Sequence, residues 1–369
     1  MKIIKKIAAV LLVAVMVLSI CGCHKKDEIA VTIGDHEFTS AFYMCALINA
    51  YQDGEAEVYD SLSEEEQQST DIDYFSKKID DKSFNDWVKD RAIEILKTVS
   101  YYKAACEKNK VEIDEDTQTA SEYYASVIWQ SYSTLFEENG VSQTTFTKYF
   151  TEGAPSQLTD YAMYYMLGIG TPNDYEELYF QHLYGKDGEK EIAAKTVKKE
   201  LYNNYLAADV LEVTFTEEQK DSERNKIKKQ FEEYEKDLKS GKTTFAKVYK
   251  EYNEITDDED LPESDAKDPY ASILDISSHN YTDIKKMDTD EVKLFYDKEE
   301  GHLQLVVKKD IKSDKYYLET LDNSLRHSLK DEEYTKDSEK EIAKLKAEIN
   351  DFAVDRFKVK DIKIPENQY

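Results

Sequence analysis

Thiols and imidazoles are the side chains best able to take part in covalent or proton-transfer chemistry near neutral pH. This chain of 369 residues holds four cysteines and six histidines. Cys45 and Cys106 lie in its body, and neither stands in the Cys-x-x-Cys spacing of a redox or zinc site. Cys106 falls on the apolar stripe Val88, Ala92, Ile95, Val99, Tyr102, which reads as helix core. A bridge between Cys45 and Cys106 stays open if the chain is exported. His279, beside Ser277 and Ser278, is a local candidate for polar chemistry, weighed against an ordinary solvated loop histidine. There is no Walker A run, no Gly-x-Gly-x-x-Gly, no Gly-x-Ser-x-Gly and no His-Glu-x-x-His. Thr256-Asp-Asp-Glu-Asp260 lacks the spacing and central glycine of a calcium loop and reads as solvated. No motif implies a cofactor or a metal.

The other two thiols sit in a different setting. Lys2, Lys5 and Lys6 precede an apolar run, Ile7 to Ile20, and Ile20-Cys21-Gly22-Cys23 follows. This resembles a bacterial lipobox, in which an aliphatic residue at −3 and small residues at −2 and −1 precede a cysteine that takes a diacylglyceryl group. Cys23 fits with Ile20 and Gly22, whereas Cys21 would put bulky Ile20 beside the scissile bond. The run is shorter than the roughly 20 residues a membrane-spanning helix needs. Removal of residues 1–22 and lipidation of Cys23, with acyl chains such as palmitate, are therefore expected over an uncleaved anchor. The mature chain would then sit on the outer face of the bacterial cytoplasmic membrane.

Charge narrows the partners. The net charge of −28 argues against nucleic acid, whose phosphates would be repelled. Such a surface favours cationic partners or simply solubility. The length suggests two or three domains, and 40% hydrophobic residues suffice for real cores.

The elements that must position these groups read as follows. Ile29 to Thr39 forms two short strands around Gly34-Asp35, and Thr39 or Ser40 caps a helix through Phe42, Cys45, Leu47 and Ile48. Gly54 to Asp81 reads as an acidic loop. Helices are expected over Asp86–Lys108 and Thr117–Asn139, the second closed by Gly140. Ser142 caps the next helix, with Val141 and Phe146 as a hydrophobic staple. After Gly153-Ala154-Pro155, Ser156 to Leu167 reads as one more, giving a bundle of about five helices. Residues 201–310 then order as a strand (Val210–Phe215), a helix (Glu217–Ser240) opened by a Thr216-x-x-Gln219 capping box, a helix (Thr244–Asn253), an acidic loop and a strand (Leu303–Lys308). Asp314–Lys330 and Ser338–Phe352 read as two helices, and Phe357 to Ile364 alternates like a strand.

Two stretches carry a family resemblance. Val31-Thr-Ile-Gly-Asp-His-Glu-Phe-Thr-Ser-Ala-Phe-Tyr43 resembles the start of the chaperone domain in PrsA-like and SurA-like extracytoplasmic foldases. The order of elements over 201–310, with Leu238-Lys-Ser-Gly-Lys-Thr-Thr-Phe-Ala246, Met287-Asp-Thr-Asp-Glu-Val292 and Gly301 before the last strand, resembles a parvulin-type prolyl isomerase module. The departures fall on the chemistry. Where the family has histidine on its first strand, this chain has Asp209-Val210-Leu211. Gly301-His302-Leu303 puts leucine at the second histidine, so that only a one-residue shift would make His302 its equivalent.

The resemblance implies an α+β, mainly α protein. Its parts would be a signal peptide (1–22), a SurA-like helical chaperone domain (23–200), a parvulin-like module (201–312), and C-terminal helices with a strand completing the chaperone domain (313–369), the strand joining the Ile29–Phe38 hairpin. It implies a lipid-anchored chaperone for unfolded exported polypeptides with a module that has lost activity. A working isomerase using His302 or His279 is the alternative, and a structural or ligand-binding surface lipoprotein a third. Tyr161, Met163, Tyr164, Tyr165 and Met166, with Tyr124 and Tyr132, are the client-binding candidates. Thioethers and amphipathic rings suit a surface that accepts many sequences, although such rings also serve as ordinary helix packing.

Overall fold

The computed structural model describes residues 28–69, 72–152, 175–216, 219–255, 268 and 270–365. Cys23 and the signal segment, the stretch with Tyr161, Met163, Tyr164, Tyr165 and Met166, and Thr256–Asp260 lie outside the described residues. The fold is α+β and mainly helical. It divides into two compact units: described residues among 1–183, 187–189 and 333–369, and those among 184–186 and 190–332.

In the first unit, β1 (Ile29–Ile33) and β2 (His36–Thr39) pair antiparallel about Gly34, whose φ of +59° a side chain would strain. The Thr39 hydroxyl accepts from Phe42 N and caps α1 (Ser40–Asp60), which is buried on nearly every side over Phe42–Ala50. This helix does not stop before Gly54, as the expected loop requires. A Cβ at Gly54 would lie 2.9 Å from the Phe84 ring and 3.2 Å from Val88, so the glycine allows close helix packing instead of breaking the chain. A short α2 (Glu64–Gln67) follows. β3 (Lys78–Ile79) and β4 (Lys82–Ser83) turn about Asp80-Asp81, both left-handed.

Ser83 caps α3 (Phe84–Asn109), Asp114 caps α4 (Glu115–Glu138), and Ser142 caps α5 (Gln143–Thr151), each through a backbone N–H three residues on. Gly140 adopts φ +82°, and Val141 and Phe146 are both buried, as a staple requires. α6 (Tyr175–Tyr184) follows. Cys45 and Cys106 are buried and not bonded to each other, and the Cys106 thiol donates to the Tyr175 carbonyl at 3.3 Å.

The second unit holds α7 (Ala194–Asn204), β5 (Leu206–Thr214), α8 (Asp221–Lys239), α9 (Phe245–Tyr252), β6 (Ala271–Leu274), α10 (Tyr281–Lys286), β7 (Val292–Asp297) and β8 (His302–Lys309). The helix expected from Glu217 begins at Asp221, behind Lys220 and without a side-chain cap, so Thr216 and Gln219 make no capping box. The strands close into one antiparallel sheet in the order β6-β5-β8-β7. One face buries Leu211, Leu303 and Leu305 against Phe231 of α8 and Phe245 and Val248 of α9. The other buries Ala208 and Val306 against Tyr281 and Ile284 of α10 with Met287 and Phe295.

α11 (Tyr316–Ile342) is continuous, where two helices were expected; residues 331–337 contain neither proline nor glycine, and Tyr334 is buried. It carries the chain out of the second unit and into the first at residue 333. The third strand of the first sheet is β9 (Ala347–Ile349), pairing Val31↔Ile349 and Ile33↔Ala347, followed by α12 (Asp351–Val354). Phe357–Ile364 is not that strand. Val359 is buried and Phe357, Ile362 and Ile364 pack against the core, while the Lys363 backbone bonds the Asn139 side-chain amide at both its N–H and its C=O.

Candidate functional site

Two turns bring His279 and His302 together. After β6, the Asp275 carboxylate accepts from the Ser277 hydroxyl (2.6 Å) and N–H (2.9 Å), which holds it below the usual carboxylate range. Asn280 takes a left-handed φ of 58° and donates from Nδ2 to Gln304 Oε1 at 3.1 Å. On the other side, the Asp297 carboxylate accepts from the N–H groups of Glu300 (3.0 Å) and Glu299 (2.8 Å), closing the β7–β8 turn. Gly301 sits at φ +65°, where a Cβ would approach the Phe215 carbonyl at 3.2 Å, and His302 opens β8.

The two imidazoles stack at a centroid distance of 4.0 Å and 26° between planes. His302 is buried, whereas His279 is about half exposed (55%). His302 Nε2 lies 3.4 Å from Glu212 Oε2, which also accepts from Gln304 Nε2 at 3.1 Å. His302 Nδ1 is buried with no partner among the described residues. His279 Nδ1 lies 3.6 Å from Glu300. The arrangement supplies ring donors and acceptors beside two carboxylates. Among the described residues no three metal ligands converge here or elsewhere. Sequence reasoning named both histidines separately but missed Glu212, Asn280 and Gln304, which only the β5–β8 register and the β6–α10 turn bring near.

Asp209, where the parvulin resemblance leads one to expect a histidine, does something else. Asp209 is 1% exposed, and its Oδ2 meets Lys309 Nζ at 2.8 Å; the same ammonium meets Asp268 at 2.8 Å. Burial pushes the Asp209 carboxyl up to about 6, against the pull of Lys309. Burial lowers the Lys309 ammonium, but hydrogen bonds to Asp209 and Asp268 more than reverse this.

Of the client-binding candidates that are described, Tyr124 and Tyr132 are half-buried and pack against the first unit's core, while neighbouring Tyr123 is 64% exposed. The first unit also carries an open cavity of about 560 Å³ with Val111, Ile113 and Tyr175 as apolar lining, rimmed by Glu107, Lys110 and Glu152. Among the described residues, no helix is long and apolar enough to cross a membrane. No protein-family model matches the chain, and no curated protein matches it.

Proposed function

We propose that this chain is a lipid-anchored, extracytoplasmic polypeptide-binding protein of the PrsA-like and SurA-like kind, its sheet unit a scaffold without isomerase turnover. The observation that carries this reading is the division of the chain. Residues 206–309 close into one antiparallel sheet with helices on both faces, and the segment after residue 333 pairs β9 with β1 of the N-terminal unit. A module inserted between two parts of one helical unit is what the foldase resemblance calls for.

Prolyl isomerisation needs a pocket that binds the twisted amide better than either planar form, against a barrier of about 18–20 kcal/mol. On the α10 face, Met287 and Phe295 are packed with Tyr281, Ile284 and Val306 as buried core. Asp209, at the expected histidine position, is committed to Lys309. Turnover by the His279–His302 pair is the second reading, favoured by their 4.0 Å stacking.

Two measurements test the proposal. The chain at equimolar ratio should suppress aggregation of an unfolded protein, and no suppression would count against a chaperone. It should leave the cis–trans relaxation of a proline peptide at the uncatalysed rate. Catalysis abolished by His302→Ala would replace this reading with the second.

A further inference from the structure

A third polar cluster, separate from both described above, ties the hairpin of the first sheet to α3. His36 opens β2, and its side chain is 12% exposed. Its ring spans Ser100 and Glu107, which stand two turns apart on one face of α3, with Nδ1 2.9 Å from Ser100 Oγ and Nε2 3.3 Å from Glu107 Oε2. Ser100 is buried. Its hydroxyl donates to the Ile33 carbonyl of β1 at 3.0 Å.

A serine hydroxyl has a single proton to give. With that proton on the Ile33 carbonyl, Nδ1 must donate to Ser100 Oγ while Nε2 donates to the Glu107 carboxylate, and only an imidazolium donates from both nitrogens. A neutral ring breaks the row somewhere. Either Nδ1 accepts the serine proton and the Ile33 carbonyl loses it, or Nε2 faces a carboxylate with no proton between them. The charges around the ring leave Glu107 as its counter-charge. Lys103, one turn before Glu107 on α3, attracts the same carboxylate but is bonded to Glu152 at 2.8 Å, and Asp35 and Glu37, which flank His36 on the hairpin, are exposed.

We propose that His36 is a proton-dependent latch between the β1–β2 hairpin and α3, closed when its ring is an imidazolium and loosened when the ring is neutral. The closed form carries one more hydrogen bond, so protonation and fastening favour each other. The sign follows: the latch holds in acid and is lost as pH rises through the titration of the ring. Glu107 also rims the open cavity of about 560 Å³, so the same step decides whether that carboxylate is paired or free at the cavity mouth. None of this depends on what the chain binds.

The test uses the full chain in detergent, with amide hydrogen exchange corrected for its intrinsic pH dependence. Protection of the β1–β2 amides, relative to those of α5, should fall about tenfold between about pH 5.5 and about pH 8, the worth of one hydrogen bond to a charged group. His36→Gln, Ser100→Ala and Glu107→Gln should each hold that change within about twofold. Ser100→Ala decides the matter. An ordinary His36–Glu107 ion pair would survive it, so a tenfold fall that persists without the hydroxyl overturns the latch. Equal hairpin protection at both pH values in the native chain overturns it too. Ring-nitrogen NMR shifts read the native chain without any buried substitution, the His36 signals being those that His36→Gln removes. Both ring nitrogens should carry protons where the hairpin is protected, and a neutral ring there overturns the proposal.

Discussion

Two polar clusters of opposite character lie along β5, one inside the strand and one at its C-terminal end. At Asp209 a carboxylate is sealed in the sheet and paired with Lys309; at Thr214, five residues and about 17 Å along, the strand faces His302, whose ring stacks on half-exposed His279. The first cluster leaves little freedom, because a buried charge tolerates only its partner. Each cluster has one buried atom without a partner among the described residues, Asp209 Oδ1 and His302 Nδ1, but only the second presents an exposed imidazole, that of His279. The position where the resemblance leads one to look for chemistry therefore does structural work, and the groups that retain chemical capacity sit at the strand's C-terminal end.

That contrast is broken most directly at Lys309. Lys309→Ala strands a carboxylate that is 1% exposed, and should cost about 3–5 kcal/mol in urea unfolding of the second unit. Asp209→Asn with Lys309→Met should recover most of it, since replacing both partners removes the uncompensated charge. His302→Ala should cost about 1–3 kcal/mol, less than Lys309→Ala. The reverse order would mean that the imidazole end is the structural one.

The Asp209 end also predicts a pH dependence. Its folded value of about 6 lies above the ordinary 3.8, so the folded state binds the extra proton between those values. Stability is then highest below pH 4 as far as this group is concerned, and is lost as pH rises through 6, by at most about 3 kcal/mol. Asp209→Asn should flatten that slope in denaturation midpoints measured from pH 4 to 7; an unchanged slope would place the titration elsewhere.

Much of the fold is legible where local rules act alone. The caps at Thr39 and Ser142, the left-handed Gly140 and the Val141–Phe146 staple all follow from a few adjacent residues, and the structure has them. Legibility fails where a distant partner decides. Gly54 reads as a loop opener because the approach of Phe84 cannot be seen from its neighbours. β9 takes three residues out of an apparently helical stripe because Val31–Ile33 offers them a ladder. Phe357–Ile364 alternates correctly for a strand but meets a side-chain amide instead of another strand. β6 is too short to announce itself, yet it completes the sheet and aims the turn that carries His279. For the same reason both histidines could be named while their meeting could not.

Gly301 tests the imidazole end at its hinge. It combines φ +65° with a prospective Cβ contact of 3.2 Å to the Phe215 carbonyl, and the Gly301 carbonyl accepts from Phe215 N–H at 2.8 Å. Gly301→Ala should cost about 1–2 kcal/mol and displace His302, seen as a shift of its ring signals by NMR. Unchanged signals with lost stability would separate the hinge from the site.

The smallest effect expected is the His279–His302 contact itself. Because His279 is half exposed, most of what its removal changes is solvent contact, and His279→Ala alone should stay within about 0.5 kcal/mol. The informative number is the coupling from a double-mutant cycle with His302→Ala, expected at about 0.5–1 kcal/mol from ring stacking at 4.0 Å. The same cycle on Asp209 and Lys309 should give several times more. If the two couplings prove equal, the imidazole pair is as firmly built into the fold as the ion pair, and the division of labour along β5 fails.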